Sequence, residues 1–199
     1  MGTDLGQLCH ELRDELLWLQ HKWTEFQELF GKGPERIDLL NAVAPHFFYI
    51  VRRLLFEDAM LHLCRLTDPP EPKVRGEVRS NLTVMMLPKL ISDPALRASV
   101  STAAERVRQS CEFAREWRNR WLAHTDLETF RNEQASTLPP VTSSNIEDGL
   151  ESMRALLNSI DERYGLPPSG LLPDPFGVRS LVFYLEEGTR GGKRGSTLP

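Results

Sequence analysis

The feature that most constrains the fold is a helical repeat of apolar residues near the start of the chain. Apolar side chains recur there at spacings of three or four, which places them on one face of an α-helix. This stripe consists of Leu5, Leu8, Leu12, Leu16, Leu19, Trp23, Phe26 and Phe30. Asp4 is suited to cap the start of the helix, and the segment 31–34, Gly-Lys-Gly-Pro, should end it. We predict one long amphipathic helix.

Three further helices follow from the same kind of spacing. The second runs from about Glu35 to Leu66 and is apolar nearly all round, as expected in the middle of a bundle or in a dimer interface. Pro45 should kink or interrupt its early part. The third begins at Asp93, an N-cap followed by proline, and its apolar stripe reaches Trp121. The fourth covers about 144–164.

These four helices predict an all-α fold, an up-and-down four-helix bundle with additional short helices. We expect the bundle to cover residues 1–165 and a docked C-terminal segment to cover 166–187. Residues 188–199 carry glycine, lysine and arginine without an apolar pattern, so we expect a disordered tail. A charged loop should extend to Ser80, and the segment Asn81-Leu82-Thr83 should cap a short helix.

Composition limits the classes of function. A net charge of −4 argues against a broad nucleic-acid footprint but allows a small site that grips a few phosphates. No apolar run approaches the roughly 18 residues of a membrane span, and we expect a cytoplasmic protein. The three cysteines should be buried thiols. We see no metal-ligand cluster and no glycine-rich phosphate loop, so we expect no metal and no cofactor.

The segment 118–124, Arg-Asn-Arg-Trp-Leu-Ala-His, carries the groups that a metal-free ribonuclease needs. An imidazole moves protons near neutral pH, and a guanidinium holds phosphate through a fixed fork of donors. On an ideal helix, however, Arg118 lies about 120° around from His124. The two side chains can share one phosphate only if the helix opens near Ala123, or if a second copy of the segment faces the first in a symmetric homodimer.

This segment resembles the signature of the HEPN superfamily, a group of all-helical nucleotide-binding and RNA-cleaving domains. The signature is an arginine, usually with a polar follower, and a histidine after four to six intervening residues; Arg118, Asn119 and His124 fit it. The wider chain, from about Leu5 to Tyr164, resembles the abortive-infection (AbiU2-like) branch. The aromatic first helix, the segment 63–68 (Leu-Cys-Arg-Leu-Thr-Asp) and the segment 81–83 (Asn-Leu-Thr) carry this wider resemblance.

The resemblance implies a dimeric, metal-independent endoribonuclease that acts as an effector of a defence or toxin–antitoxin system. His124 would move protons, Arg118 would stabilise the charge on the scissile phosphate, and Asn119 would orient the backbone or His124 by a hydrogen bond. The groups that could contact phosphate or support the site are Arg120, Asp126 and Asp68. RNA is the implied substrate, and a nucleotidyltransferase is one kind of antitoxin that could partner the chain.

Other interpretations remain open at this point. The arginines could simply be favourable cations near a helix C-terminus, and the chain could be a non-catalytic dimerisation or partner-binding module. A nucleotide-binding helper domain is weaker, because there is no phosphate loop. Asp58 and His62 lie four apart and should pair or cap rather than bind metal. Arg65 could pair with Asp68, or Asp68 and Thr67 could line a cleft if the second and third helices meet. The four tryptophans should lie in the core or in a dimer interface.

Overall fold

The computed structural model describes residues 1–122, 140–168 and 176–195, and almost all of them are helical. The α-helices of these ranges are α1 (Thr3–Phe30), α2 (Pro34–Val43), α3 (Pro45–Thr67), α4 (Leu87–Leu90), α5 (Pro94–Ser110), α6 (Glu112–Trp117), α7 (Ser143–Arg163) and α8 (Phe176–Gly195). A 3₁₀-helix covers Val84–Met86, a π-helix covers Arg118–Leu122, and two short strands are β1 (Lys73–Val74) and β2 (Glu77–Val78). The predicted all-α class is confirmed, whereas the four-helix bundle stays a prediction.

Proline and capping residues set several of the helix boundaries. The predicted second helix is divided at Ala44, and Pro45 begins α3, where its missing N–H costs no hydrogen bond. Asp93 caps α5 as predicted, since its carboxylate accepts from the amides of the two residues that follow Pro94. The prediction that Asp4 caps α1 is wrong, because the helix already begins at Thr3 and Asp4 lies in its first turn. In the first turn its negative charge still interacts favourably with the helix dipole.

The predicted third helix is not one straight helix. It stops at Cys111, whose φ of −103° and ψ of 7° leave the helical region, and restarts as α6. After Trp117 the backbone changes again, into the π-helix that begins at Arg118. A π-helix bonds residue i to i+5 and so holds more residues in a turn than an α-helix. Angles calculated at about 100° per residue therefore do not apply across this segment.

The C-terminal region is more helical than the sequence suggested. The segment 176–185, which could have been a strand or a helix, is helical in α8. That helix continues to Gly195, so residues 188–195 are helical where we predicted a disordered tail. The division of the chain at residues 165 and 187 stays a prediction. The expected charged loop before Ser80 contains a β-hairpin, in which β1 and β2 pair antiparallel.

The described contacts divide into two compact units. The first comprises Met1–Trp18 and Met60–Leu171. Its core is formed by apolar faces of α1, the end of α3, α5, α6 and α7, and α5 packs chiefly against α7. Fully buried side chains of this unit include Leu12, Met60, Leu63, Leu87, Ile91, Ile146, Met153, Leu156, Leu157 and Ile160.

The second unit comprises Leu19–Ala59 and Leu172–Pro199. Its core consists of Leu29, Leu40, Phe48, Val178 and Val182. Two side chains of α1 also tie α8 to this core. The Val178 amide donates to Glu25 at 3.1 Å, and Arg179 donates to Glu28 at 3.0 Å.

One side of α3 in the second unit is not covered by the described residues. Phe47, Ile50 and Leu54 recur at spacings of three and four and are 58%, 48% and 59% exposed. We call these three side chains the α3 apolar face. The prediction that α3 lies in the middle of a bundle is therefore wrong for this part of the helix. An exposed apolar stripe instead remains compatible with an interface.

Two predictions from composition can be compared with the structure. Cys9, Cys64 and Cys111 are buried free thiols, as predicted. Of the tryptophans, Trp23 is buried, but Trp18 is 59% exposed and so is not a core residue. In the part of the chain that the structure describes, every helix is too short or too polar to span a lipid bilayer.

Candidate functional site

Arg118 is held at the start of the π-helix by Asp68, which lies just beyond the end of α3. Its Nη1 donates to both carboxylate oxygens, at 2.8 Å to Oδ1 and 3.0 Å to Oδ2. About a quarter of each side chain is exposed, 27% for Arg118 and 23% for Asp68. The ends of the second and third predicted helices therefore meet, which is the arrangement in which we expected Asp68 to support a site. The alternative pairing of Asp68 with Arg65 is wrong, since Arg65 instead lies 3.8 Å from Glu15.

A second guanidinium, that of Arg115, joins the same cluster. Its Nη2 donates to the backbone carbonyl of Thr67 at 3.1 Å and to the Thr67 hydroxyl at 3.2 Å. The same nitrogen lies 3.8 Å from Asp68 Oδ1. Because the last carbonyls of an α-helix have no partner within the helix, Arg115 both caps α3 and places a second positive charge beside Asp68.

The backbone that carries Asp68 is fixed by the segment 81–83. The buried Thr83 hydroxyl lies 2.9 Å from the carbonyl oxygens of Leu66 and Asp68 and donates to them. The Asn81 side-chain amide donates to the Pro69 carbonyl at 2.9 Å. The two segments that carried part of the family resemblance are thus one hydrogen-bonded unit. This unit gives Asp68, and through it Arg118, a defined position.

The remaining predicted site residues are placed only in part. Asn119 Oδ1 accepts from Arg118 Nε at 3.2 Å, so it orients the guanidinium that Asp68 also holds. Arg120 lies in the π-helix two residues after Arg118 and is partly buried. His124 and Asp126 lie outside the described residues, and their predicted roles stay predictions.

Two cysteine thiols, those of Cys64 and Cys111, lie close enough to the arginine cluster for its charges to affect their pKa. Burial raises the pKa of Cys64 to about 11, and the positive charges of Arg118 and Arg115 partly oppose that rise. Burial likewise raises the pKa of Cys111 to about 12. At neutral pH both are therefore protonated thiols, which are poor nucleophiles and poor metal ligands.

Other candidate groups form ion pairs. Asp58 pairs with Lys22, and His62 Nε2 lies 2.8 Å from a carboxylate oxygen of Glu15. Asp58 and His62 thus each have a charged partner on α1. Across the described ranges, no three histidine, cysteine, aspartate or glutamate side chains converge in a way that could hold a metal ion.

Sequence reasoning missed Arg115 and one role of Thr83. Arg115 precedes Arg118 by three residues, so a helix places both on one side, and that spacing was an available signal. Thr83 was recognised as a cap, and it does accept from the Met85 amide at 3.3 Å. Its bonds to Leu66 and Asp68 join positions 17 and 15 residues apart, which no local pattern reveals.

Comparison with known proteins identifies the family. A family model described as AbiU2, of the HEPN type, matches residues 2–173. The chain belongs to the AbiU2 family. The resemblance to HEPN-type abortive-infection proteins is thereby confirmed. Neither the comparison with curated proteins nor that with solved structures gives a match.

In this AbiU2 protein the described part of the site offers the Arg118 guanidinium in a fixed geometry. Arg118 uses Nη1 toward Asp68 and Nε toward Asn119, and among the described residues its Nη2 has no partner. A guanidinium held at two of its nitrogens can direct its remaining N–H groups at a phosphate oxygen without first losing conformational freedom. The arrangement therefore suits recognition of one phosphate group.

Proposed function

We propose that this AbiU2 protein is a metal-independent endoribonuclease that acts in abortive infection or in a toxin–antitoxin pair. The observation that carries the proposal is Arg118, held by Asp68 at the start of a π-helix within the Arg118–His124 motif. Membership of a HEPN-type abortive-infection family supports the same activity. π-helical turns also occur frequently at functional sites.

In the proposed reaction the protein supplies proton transfer and charge stabilisation. His124 removes the proton of a ribose 2′-hydroxyl, whose oxygen then attacks the adjacent phosphorus. The bond to the 5′-oxygen of the next nucleotide breaks, and that oxygen takes up a proton from water. The hydroxide left behind is neutralised by the proton that His124 accepted, so His124 returns to its starting state. The products are a 2′,3′-cyclic phosphate and a 5′-hydroxyl. Arg118 stabilises the negative charge that develops on the phosphate, and Arg120 or Asp126 could assist.

Arg118 and His124 must reach the same phosphate for this chemistry. Two routes would bring them together, an opening of the helix near Ala123 and a symmetric homodimer. The π-helix over Arg118–Leu122 supports the first route, because it replaces regular α-helix directly before Ala123. The second route remains part of the proposal, as a dimer whose two copies of the motif form one cleft within an up-and-down four-helix bundle.

The test compares purified wild-type protein with Arg118→Ala and His124→Ala on a defined single-stranded RNA. Arg106→Ala is the matched control, since Arg106 is an exposed arginine on α5. Each site variant should cleave on the order of 100-fold more slowly or worse, whereas the control should match wild type. Cleavage should persist in EDTA and leave 2′,3′-cyclic ends. Intact RNA with wild-type protein, or full inhibition by EDTA, would overturn the proposal.

Asp68 can be tested in the same assay. Asp68→Asn removes the charge that holds Arg118, so cleavage should fall roughly 10- to 100-fold because the guanidinium is misplaced. In an Arg118→Ala background the same change should have little further effect, since the two residues act through one contact. Fully multiplicative losses would show instead that Asp68 acts independently of Arg118.

A second function, that of a non-catalytic dimerisation or partner-binding module, is favoured by the α3 apolar face. Three half-exposed apolar side chains, Phe47, Ile50 and Leu54, form a continuous stripe of the kind that marks interaction sites. Under this alternative, changing all three to serine abolishes self-association or antitoxin binding. The wild-type protein would then leave RNA intact even without an antitoxin such as a nucleotidyltransferase.

A further inference from the structure

The β-hairpin between α3 and the 3₁₀-helix concentrates positive charge on a chain whose net charge is −4. Within residues 73–79, which we call the basic hairpin, Lys73, Arg75 and Arg79 stand against the single carboxylate of Glu77. All three cations are exposed. Arg79 lies 3.7 Å from Glu77, and neither Lys73 nor Arg75 has an ion-pair partner among the described residues.

The base of the basic hairpin is fastened next to Asp68. The Asn81 amide donates to the Pro70 carbonyl at 2.9 Å, and the Arg79 amide donates to the Pro72 carbonyl at 3.2 Å. Glu71 is neutralised by Lys89 of α4 at 2.6 Å. The segment 81–83 therefore holds the Asp68 backbone through Thr83 and closes the base of the hairpin through Asn81. At about 3.3 Å per residue, its tip extends at most about 16 Å from the base.

The turn of the hairpin presents an arginine at its tip. Arg75 and Gly76 both have positive φ, 53° and 86°, as in the two-residue turns whose twist matches that of paired strands. Asparagine and glycine are favoured at such positions because other side chains are strained there. An arginine at this position therefore strains the backbone of the turn more than glycine or asparagine would. Unlike those residues, however, Arg75 places a positive charge at the tip of the hairpin.

We propose that the basic hairpin binds the phosphate backbone of single-stranded RNA beside the Arg118 site. This inference rests on the proposed function and adds to it the surface that holds the substrate outside the reacting phosphate. An RNA backbone suits the surface, because flexible exposed cations bind phosphates without needing a shaped pocket. The cations are spread along the hairpin, with Lys73 on β1, Arg75 in the turn and Arg79 directly after β2, which suits an extended strand of phosphates.

The test separates binding from cleavage. A triple variant, Lys73→Gln/Arg75→Gln/Arg79→Gln, is compared with a control triple, Lys32→Gln/Arg52→Gln/Arg106→Gln, which removes the same charge from exposed positions elsewhere. Affinity is measured by fluorescence anisotropy with an uncleavable 2′-deoxy oligonucleotide at several salt concentrations. KM and kcat are measured on the matching RNA.

The hairpin variant should weaken oligonucleotide binding and raise KM about tenfold relative to the control, with kcat within about twofold. The slope of log affinity against log salt should flatten by about 2, since each phosphate of a single strand that a cation no longer neutralises reduces the slope by about 0.7. Glu77→Gln should shift affinity in the opposite direction. Equal affinity and slope in the two triple variants would overturn the inference and favour an acidic protein as the hairpin's partner.

The two hypotheses fail in different ways. If the hairpin variant binds the oligonucleotide more weakly but wild-type protein does not cleave RNA, the proposed nuclease activity is wrong and the hairpin remains a nucleic-acid-binding element. If wild-type protein cleaves RNA but the hairpin variant binds as well as the control, the role of the hairpin is wrong and the nuclease activity stands. If wild-type protein does not bind the oligonucleotide at all, the hairpin inference is wrong.

Discussion

Replacing Thr83 by valine tests whether one buried hydroxyl holds the end of α3. Thr83 is fully buried, and its hydroxyl serves the carbonyls of Leu66 and Asp68 and the amide of Met85. Valine keeps the shape of threonine but removes every one of these bonds. Because the backbone groups that lose a partner cannot all reach water, the substitution should be costly.

The size of the loss can be worked from these hydrogen bonds. A buried polar group left without a partner costs about 1–3 kcal/mol, and the loss of a helix cap costs about 1 kcal/mol. We therefore expect Thr83→Val to lower the free energy of unfolding by about 2–3 kcal/mol. Thr83→Ser keeps the hydroxyl and loses one methyl group, so it should cost only about 1 kcal/mol.

Urea unfolding followed by circular dichroism at 222 nm measures both variants against wild type. The change in midpoint multiplied by the slope gives the loss of stability. A Thr83→Val variant as stable as Thr83→Ser would refute the reasoning, because the hydroxyl would then contribute nothing that its methyl group does not. RNA cleavage by Thr83→Val under native conditions should also fall, since the Asp68 backbone loses a restraint.

Two further predictions concern the core beside the site. Cys64 and Cys111 should resist alkylation in the native protein at pH 8 and react after unfolding, since burial raises their pKa to about 11 and about 12. In the unfolded chain these thiols ionise at about pH 8.5, below the pKa that they have in the folded protein. The free energy of unfolding should therefore be constant with respect to thiol ionisation below that pH and should fall as the pH rises toward 11. Urea unfolding at a series of pH values measures this change. Gly149→Ala should lower stability by about 1 kcal/mol in urea unfolding despite the better helix propensity, because the added Cβ would lie 3.1 Å from Cys111 Sγ. Rapid native alkylation, or a more stable Gly149→Ala variant, would contradict these expectations.

Local signals in the sequence predicted helix type and most helix ends. The stripe from Leu5 to Trp23 is buried, Pro45 begins a helix, and Asp93 caps one. These features depend on neighbours within about four residues, which is the range that a helical pattern reports. The stop at Cys111 was not visible, because the apolar spacing continues unchanged through that position.

The candidate site was predicted only in part, because some of its contacts join residues that lie far apart in the chain. The spacing of Arg118 and His124 carried the resemblance to HEPN proteins, and Asp68 was recognised as a supporting group. Arg115 was missed although its spacing from Arg118 places both on one side of a helix, and its contact with Thr67, 48 residues away in the chain, has no local signal. The π-helix was missed as well, since each residue from Arg118 to Leu122 is also compatible with an α-helix.

The bond between the Asn81 amide and the Pro70 carbonyl closes the chain into a loop of residues 71–80, and this bond involves no residue of the loop itself. Lengthening the loop at its turn should therefore cost the fold only a small loss of entropy, about 0.6 kcal/mol for each doubling of loop length. For protein engineering, the same closure makes the turn at Arg75 and Gly76 an insertion point for a peptide.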